Sequence, residues 1–127
     1  MSMLDPIRVG DYSVERDVDP LDAKAPPIVR LVFDRCELSG WPPAFTLRGD
    51  ECEAAVRALR LVAELQPGDV QLDGVGSFVA VARRISGSDG HVAFERCDEG
   101  FLFERFTIPL ADAARIAAAI ESQRSSE

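Results

Sequence analysis

The chain has 127 residues, 46% of them hydrophobic and 28% charged, which fits one domain with its own core and excludes widespread disorder. A net charge of −8 and a pI near 4.6 argue against a nucleic-acid partner, because phosphate neutralisation by a basic stripe supplies most of that affinity. The acidic balance suits solubility, or steering toward a partner with a basic surface.

Residues 1–27 form an acidic, weakly patterned segment with six acids against three bases. Ile7, Val9, Tyr12 and Val14 suggest one edge strand, followed by a proline-bearing loop from Asp19 to Pro27. Ile28–Phe33 is the first strong strand, rich in Val and Ile. Ser39–Pro43 breaks it, and Ala44–Leu47 forms another. Asp50 as N-cap, with Glu53 three residues on, makes a capping box. The helix runs from Asp50 to Leu65 with a buried stripe of Ala55, Val56, Leu59, Val62 and Ala63. Gln66-Pro67-Gly68 ends it.

Val70–Leu72 is a short strand turned by Asp73-Gly74-Val75-Gly76. Phe78–Ile85 follows, then a loop at Gly87–Gly90 and a strand from His91 to Cys97. A three-residue loop, Asp98-Glu99-Gly100, leads into Phe101–Ile108. Pro109 opens a last helix through Ser122, and 123–127 is a frayed tail. The expected class is α+β: a mainly antiparallel sheet of about six to seven strands with two helices, in the order β-β-β-α-β-β-β-β-α. Phe45-Thr46-Leu47 and Phe106-Thr107-Ile108, 61 residues apart, each precede a helix. Chance likeness of two strand–helix junctions is the preferred explanation, since true repeats show clearer self-similarity.

The three-residue loop sets Cys97 against Phe101, Phe94 against Glu104 and Val92 against Phe106. Val92, Phe94, Leu102, Phe106 and Ile108 then form a core side. His91, Ala93, Glu95, Cys97, Phe101, Phe103 and Arg105 form the other. Either that second side is covered and its two rings belong to the core, the default for Phe, or it is open to a partner. Trp41, between Gly40 and two prolines, either presents its ring to a partner or plugs the core.

No motif for catalysis, a cofactor or a metal emerges. His91 is the sole histidine. It is six residues from Cys97, some 20 Å along a strand, which excludes a dyad between them. Cys36 is expected to be a small buried hydrophobe instead of a nucleophile. Cys36, Cys52 and Cys97 lack the paired spacing of zinc sites and fit a reduced cytoplasmic setting. Gly74-Val75-Gly76 precedes a strand, so it is a turn and not a phosphate loop. The carboxylate pairs sit in caps and turns. No apolar run spans a membrane, and Met1 to Gly10 holds no signal-peptide stretch. The expected function is binding.

From Trp41 to Ile120 the layout resembles bacterial immunity proteins of the WapI type. The shared signposts are Trp41 and Phe45-Thr46-Leu47 before a helix that ends in Leu65-Gln66-Pro67-Gly68. Val70-Gln71-Leu72-Asp73, Gly90-His91-Val92 and a closing Phe-rich strand and helix follow. The first helix lacks the family's Leu-rich and aromatic character, and the last opens with Pro109-Leu110-Ala111-Asp112 in place of an Asp-Gln type motif. The resemblance implies a non-enzymatic inhibitor that neutralises a toxin by occlusion. It carries over no contact residue; Trp41, Glu95, Phe101, Phe103 and Arg105 are candidates from the sheet reading alone. Four strands followed by a helix, twice over, also resembles PUR and Whirly proteins, which implies single-stranded nucleic-acid binding. Phe101 and Phe103 would then stack bases, with Arg83, Arg84, Arg96 and Arg105 beside them. Against this, residues 74–110 hold four bases and five acids.

Overall fold

The computed structural model describes residues 5–18, 24, 27–34 and 43–125; Trp41 and Cys36 lie outside them. The class is α+β. Among the described residues there are eight strands in two four-stranded antiparallel sheets, rather than one sheet of six or seven. The first sheet is β1 (Ile7–Val9), β2 (Tyr12–Asp17), β3 (Ile28–Phe33) and β4 (Ala44–Leu47), and helix α1 (Asp50–Leu61) follows it. The second is β5 (Val70–Val75), β6 (Phe78–Arg84), β7 (Gly90–Asp98) and β8 (Phe101–Pro109), and helix α2 (Leu110–Ser125) follows it. Each sheet is a meander with its strands in chain order. The extra strand arises because Gly10, at φ 58°, lets the chain turn back after Val9, a conformation that favours glycine. The single edge strand expected there is a hairpin.

The architecture is therefore ββββα twice. Phe45-Thr46-Leu47 and Phe106-Thr107-Ile108, 61 residues apart, both lie in the fourth strand of a unit just before its helix. At that offset several buried helix positions coincide (Cys52 with Ala113, Ala55 with Ile116, Ala58 with Ala119, Leu59 with Ile120), whereas buried Ala54 falls on exposed Arg115.

The helices are exchanged between the units. α1 packs chiefly on β5 and β6 of the second sheet. α2 packs on β1–β3 of the first, as well as on β7 and β8, and the helices touch each other. Gln123 fastens this exchange. Its buried amide donates to the carbonyls of Asp5 (3.0 Å) and Val14 (2.9 Å). Residue 123 is thus packed helix and not the start of a frayed tail. Phe45 of the first sheet meets Phe78 and Phe94 of the second, with ring centroids 5.8–6.1 Å apart in that trio. Each ring contributes about 1.5–3 kcal/mol by burial, and each pair about 0.5–1.5 kcal/mol more. Tyr12 joins Phe33 and Phe106 in a second cluster.

Local details depart from expectation for identifiable reasons. Gly49, not Asp50, is the N-cap, and it makes no side-chain cap. Glu51 instead reaches back to accept the Arg48 N–H at 3.1 Å. After Leu61 the helix tightens into a 3-10 turn, Val62–Glu64. Arg84 donates to the Val62 and Ala63 carbonyls there (3.1 and 3.0 Å), satisfying acceptors that a helix end leaves open. β5 runs on through the expected turn, and Gly76-Ser77 makes the reversal. Pro109 closes β8 and does not open α2. Among the described residues no helix is long and apolar enough to cross a membrane.

Candidate binding face on the second sheet

Strand alternation divides the second sheet into two faces. Phe78, Ala80, Ala82, Val92, Phe94, Phe106 and Ile108 point inward and are buried. The register places three rows on the other face. Val70, Arg83, His91 and Pro109 form one, and Leu72, Val81, Ala93 and Thr107 the middle one. Gly74, Val79, Glu95 and Arg105 form the third. Among the described residues no helix is left to cover this side, since α1 and α2 both serve inner faces. Leu72 is 65% exposed, while Val79 and Val81 are half-buried by their neighbours.

The result is an open apolar strip with charge at both borders. On one border Arg83 stands directly across from His91. Neither side chain has a hydrogen-bond or ion-pair partner among the described residues. On the other border Arg105 donates to Glu95 (3.0 Å from Nε) in an ion pair, so those charges cancel. Arg105 also lines a cleft of about 210 Å³ with Tyr12, Phe33 and Thr107. Tyr12 donates its hydroxyl to the Thr107 carbonyl at 3.0 Å. Burial, then Asp112 and Asp11, push that phenol above its ordinary value.

The β7–β8 hairpin carries the face beyond the body. Its loop has two residues, Glu99 and Gly100, both at positive φ (51° and 84°), the conformation of a tight hairpin turn. That differs from the three-residue loop expected. Phe94 consequently faces Phe106 and Val92 faces Ile108, with an irregularity between Arg96 and Cys97. Leu102 moves off the core side and is 48% exposed. Phe101, opposite Asp98, is 76% exposed. The covered reading does not hold for Phe101, which no element among the described residues covers.

Of the residues singled out from sequence, Glu95 and Arg105 lie on this face, and Phe101, opposite Asp98, is exposed at the hairpin tip on the Arg96 side. Phe103 lies in β8, but its side chain is outside the described residues. Leu72, Val81 and Arg83 complete the face, and His91 belongs to its border instead of a catalytic pair. Arg84 and Arg96, offered above as nucleic-acid contacts, point inward and are occupied by backbone carbonyls and by Glu51. Among the described residues no three His, Cys, Asp or Glu side chains converge to hold a metal. Compared with protein-family models, curated proteins and solved structures, the chain matches none.

Proposed function

We propose that this protein is a binding module that engages another protein through the open face of β5–β8. One observation carries the reading: an apolar strip centred on Leu72 and Val81, with Phe101 and Leu102 exposed at the hairpin tip, which no element among the described residues covers. Contiguous exposed apolar surface with a polar border is characteristic of interaction sites, and an aromatic ring at its end is a favoured anchor. The immunity-type inhibition implied by the sequence resemblance is the specific form proposed. The partner is then a toxin whose basic cleft draws in a body of net charge −8, and association slows as salt rises.

A single-stranded nucleic acid is the second reading. It is favoured by the repeated ββββα order and by Arg83 and Arg105 sharing one side of the sheet. The small number of free cations on that side weighs against it.

The test is affinity capture from the cells that encode the chain, followed by calorimetry with the purified partner. Arg83→Glu and Phe101→Ser alter exposed side chains without touching the core. Loss of the captured protein in both variants supports the face; unchanged binding in both rejects it. Tight low-salt binding of a labelled oligothymidine, lost in the same variants, selects the second reading.

A further inference from the structure

The two sheets have four lateral edges. β4 and β8 lie against each other. β1 is only three residues long, and its Arg8 is ion-paired with Asp34. β5 is different: six residues, with no proline or lysine and no neighbouring strand on its outer side among the described residues. Native proteins guard such an edge with charge, proline, a bulge or a covering element. The one charge on β5, Asp73, is taken up by Arg57 at 2.8 Å. Leu72 on this edge is the most exposed large aliphatic among the described residues.

A groove of about 430 Å³ runs along the edge, lined by Arg57 and Leu61 of α1, by Glu64 of the 3-10 turn after it, and by Gln71, Leu72 and Asp73 of β5. Arg57 and Leu61, spaced i, i+4, share one face of α1, and Glu64 in the 3-10 turn lines the same groove. Both borders of the groove are self-complementary about one two-fold axis. Antiparallel pairing of β5 with a second β5, centred on Leu72, sets Leu72 against its own copy. It sets Gln71 against Asp73 of the second copy, so no like charges oppose. The same rotation places Arg57 opposite Glu64 of the second copy, with Leu61 near the axis.

The spacing also agrees. Paired strands sit about 4.8 Å apart. Because α1 lies over β5 and β6, joining the edges brings the two α1 helices to about 10 Å, within helix-packing range. We infer that the protein forms a two-fold homodimer through its β5 edges. The two second sheets merge into one, and both open faces lie on the same side of it. The occupant is a second copy of this chain, because charge and register match without any change in sequence.

Sedimentation equilibrium of the full chain tests this. The expected mass at high concentration is twice the 13.8 kDa of one chain. Leu72→Lys puts two cations on the axis and weakens dimerisation about tenfold or more, equivalent to about 1.4 kcal/mol. Glu64→Arg alone and Arg57→Glu alone each set like charges against one another and weaken it as well. Mixing those two variants restores a dimer, since both crossing pairs then oppose in sign. Far-ultraviolet circular dichroism checks that each variant is folded, and if Leu72→Lys unfolds the mixing experiment decides. A wild-type chain that stays monomeric to millimolar concentration overturns the inference, as does a dimer that survives Leu72→Lys or a mixture that fails to associate. Arg83→Glu and Phe101→Ser lie off this edge and leave the dimer intact, so failure here is separable from failure of the binding face.

Discussion

Replacing Arg96 with Met should cost about 3 kcal/mol of folding stability. Arg96 sits on β7, yet its guanidinium is spent on the other unit. It donates to both carboxylate oxygens of Glu51 (2.8 and 3.0 Å) and to the Thr46 carbonyl (2.8 Å). It also lies over the Phe45 ring, 5.1 Å from the centroid. The two side chains are only 22% and 15% exposed, so solvent screens the pair weakly. Glu51, followed by Glu104, holds the guanidinium charged against the opposing cost of burial. Met preserves much of the apolar contact with Phe45 and Phe78 but leaves Glu51 largely desolvated without its cation. Breaking a buried pair from one side costs about 3–5 kcal/mol, and residual solvent access places this one at the lower end.

With a urea m-value of about 2 kcal/mol/M, the unfolding midpoint should fall by about 1.5 M. A fall below about 0.5 M would mean that the pair does not link the units and that this account of the junction is wrong. In Glu51→Gln/Arg96→Met the orphaned charge is gone, so the double variant should be more stable than the summed single losses. That positive coupling is what residues in contact show.

Gln123→Glu should destabilise by at least about 2 kcal/mol, because a carboxylate cannot donate to the Asp5 and Val14 carbonyls and is buried beside them; thermal melting measures it, and an unchanged midpoint would show that the amide is not needed there. Gly90→Ala places a methyl 2.7 Å from the Arg83 carbonyl oxygen and 3.3 Å from the Arg84 Cα, both backbone, so urea titration should show a loss of about 1–3 kcal/mol; a neutral result would mean that the β6–β7 pair relaxes freely. Burial, with smaller opposing help from Arg124, pushes the Cys52 thiol from 9.0 up to about 11. The raised value means that the unfolded thiol ionises first, so stability is intact below pH 9 and declines as pH climbs toward 11. Cys52→Ala should flatten that decline in a pH series of melts, and equal slopes would contradict it.

Much of the element order was legible because hydrophobic periodicity and turn residues agreed along most of the chain. Val and Ile marked Ile28–Phe33, and Pro67-Gly68 marked the end of the first helical stretch. What stayed hidden was geometry that depends on one residue more or fewer. The Glu99-Gly100 turn and the asymmetry at Arg96/Cys97 moved Phe94 from Glu104 to Phe106, and no side-chain pattern distinguishes those registers, since Phe106 reads as core in both. The binding face was only half legible. In Phe78–Arg84 the buried face is Phe, Ala, Ala and the open face Val, Val, Arg, so hydropathy alone does not tell which side is covered. Arg84 and Arg96 looked like surface cations, and only the fold reveals them as a helix cap and an interunit clamp.

The open face follows from counting layers. Two sheets present four faces, and the described residues supply two α-helices to cover them. The inner faces meet through Phe45, Phe78 and Phe94 and take both helices between them. Exchanging the helices makes each unit cover its partner's sheet, so the halves are joined by burial as well as by the chain. Among the described residues nothing remains for the outer side of β5–β8, where Leu72 is exposed. An apolar strip of this kind favours non-specific association, and a net charge of −8 opposes it through mutual repulsion between copies. Acidity and exposed apolar surface are therefore one physical compromise: the charge limits non-specific association while the strip stays available to a surface that matches it.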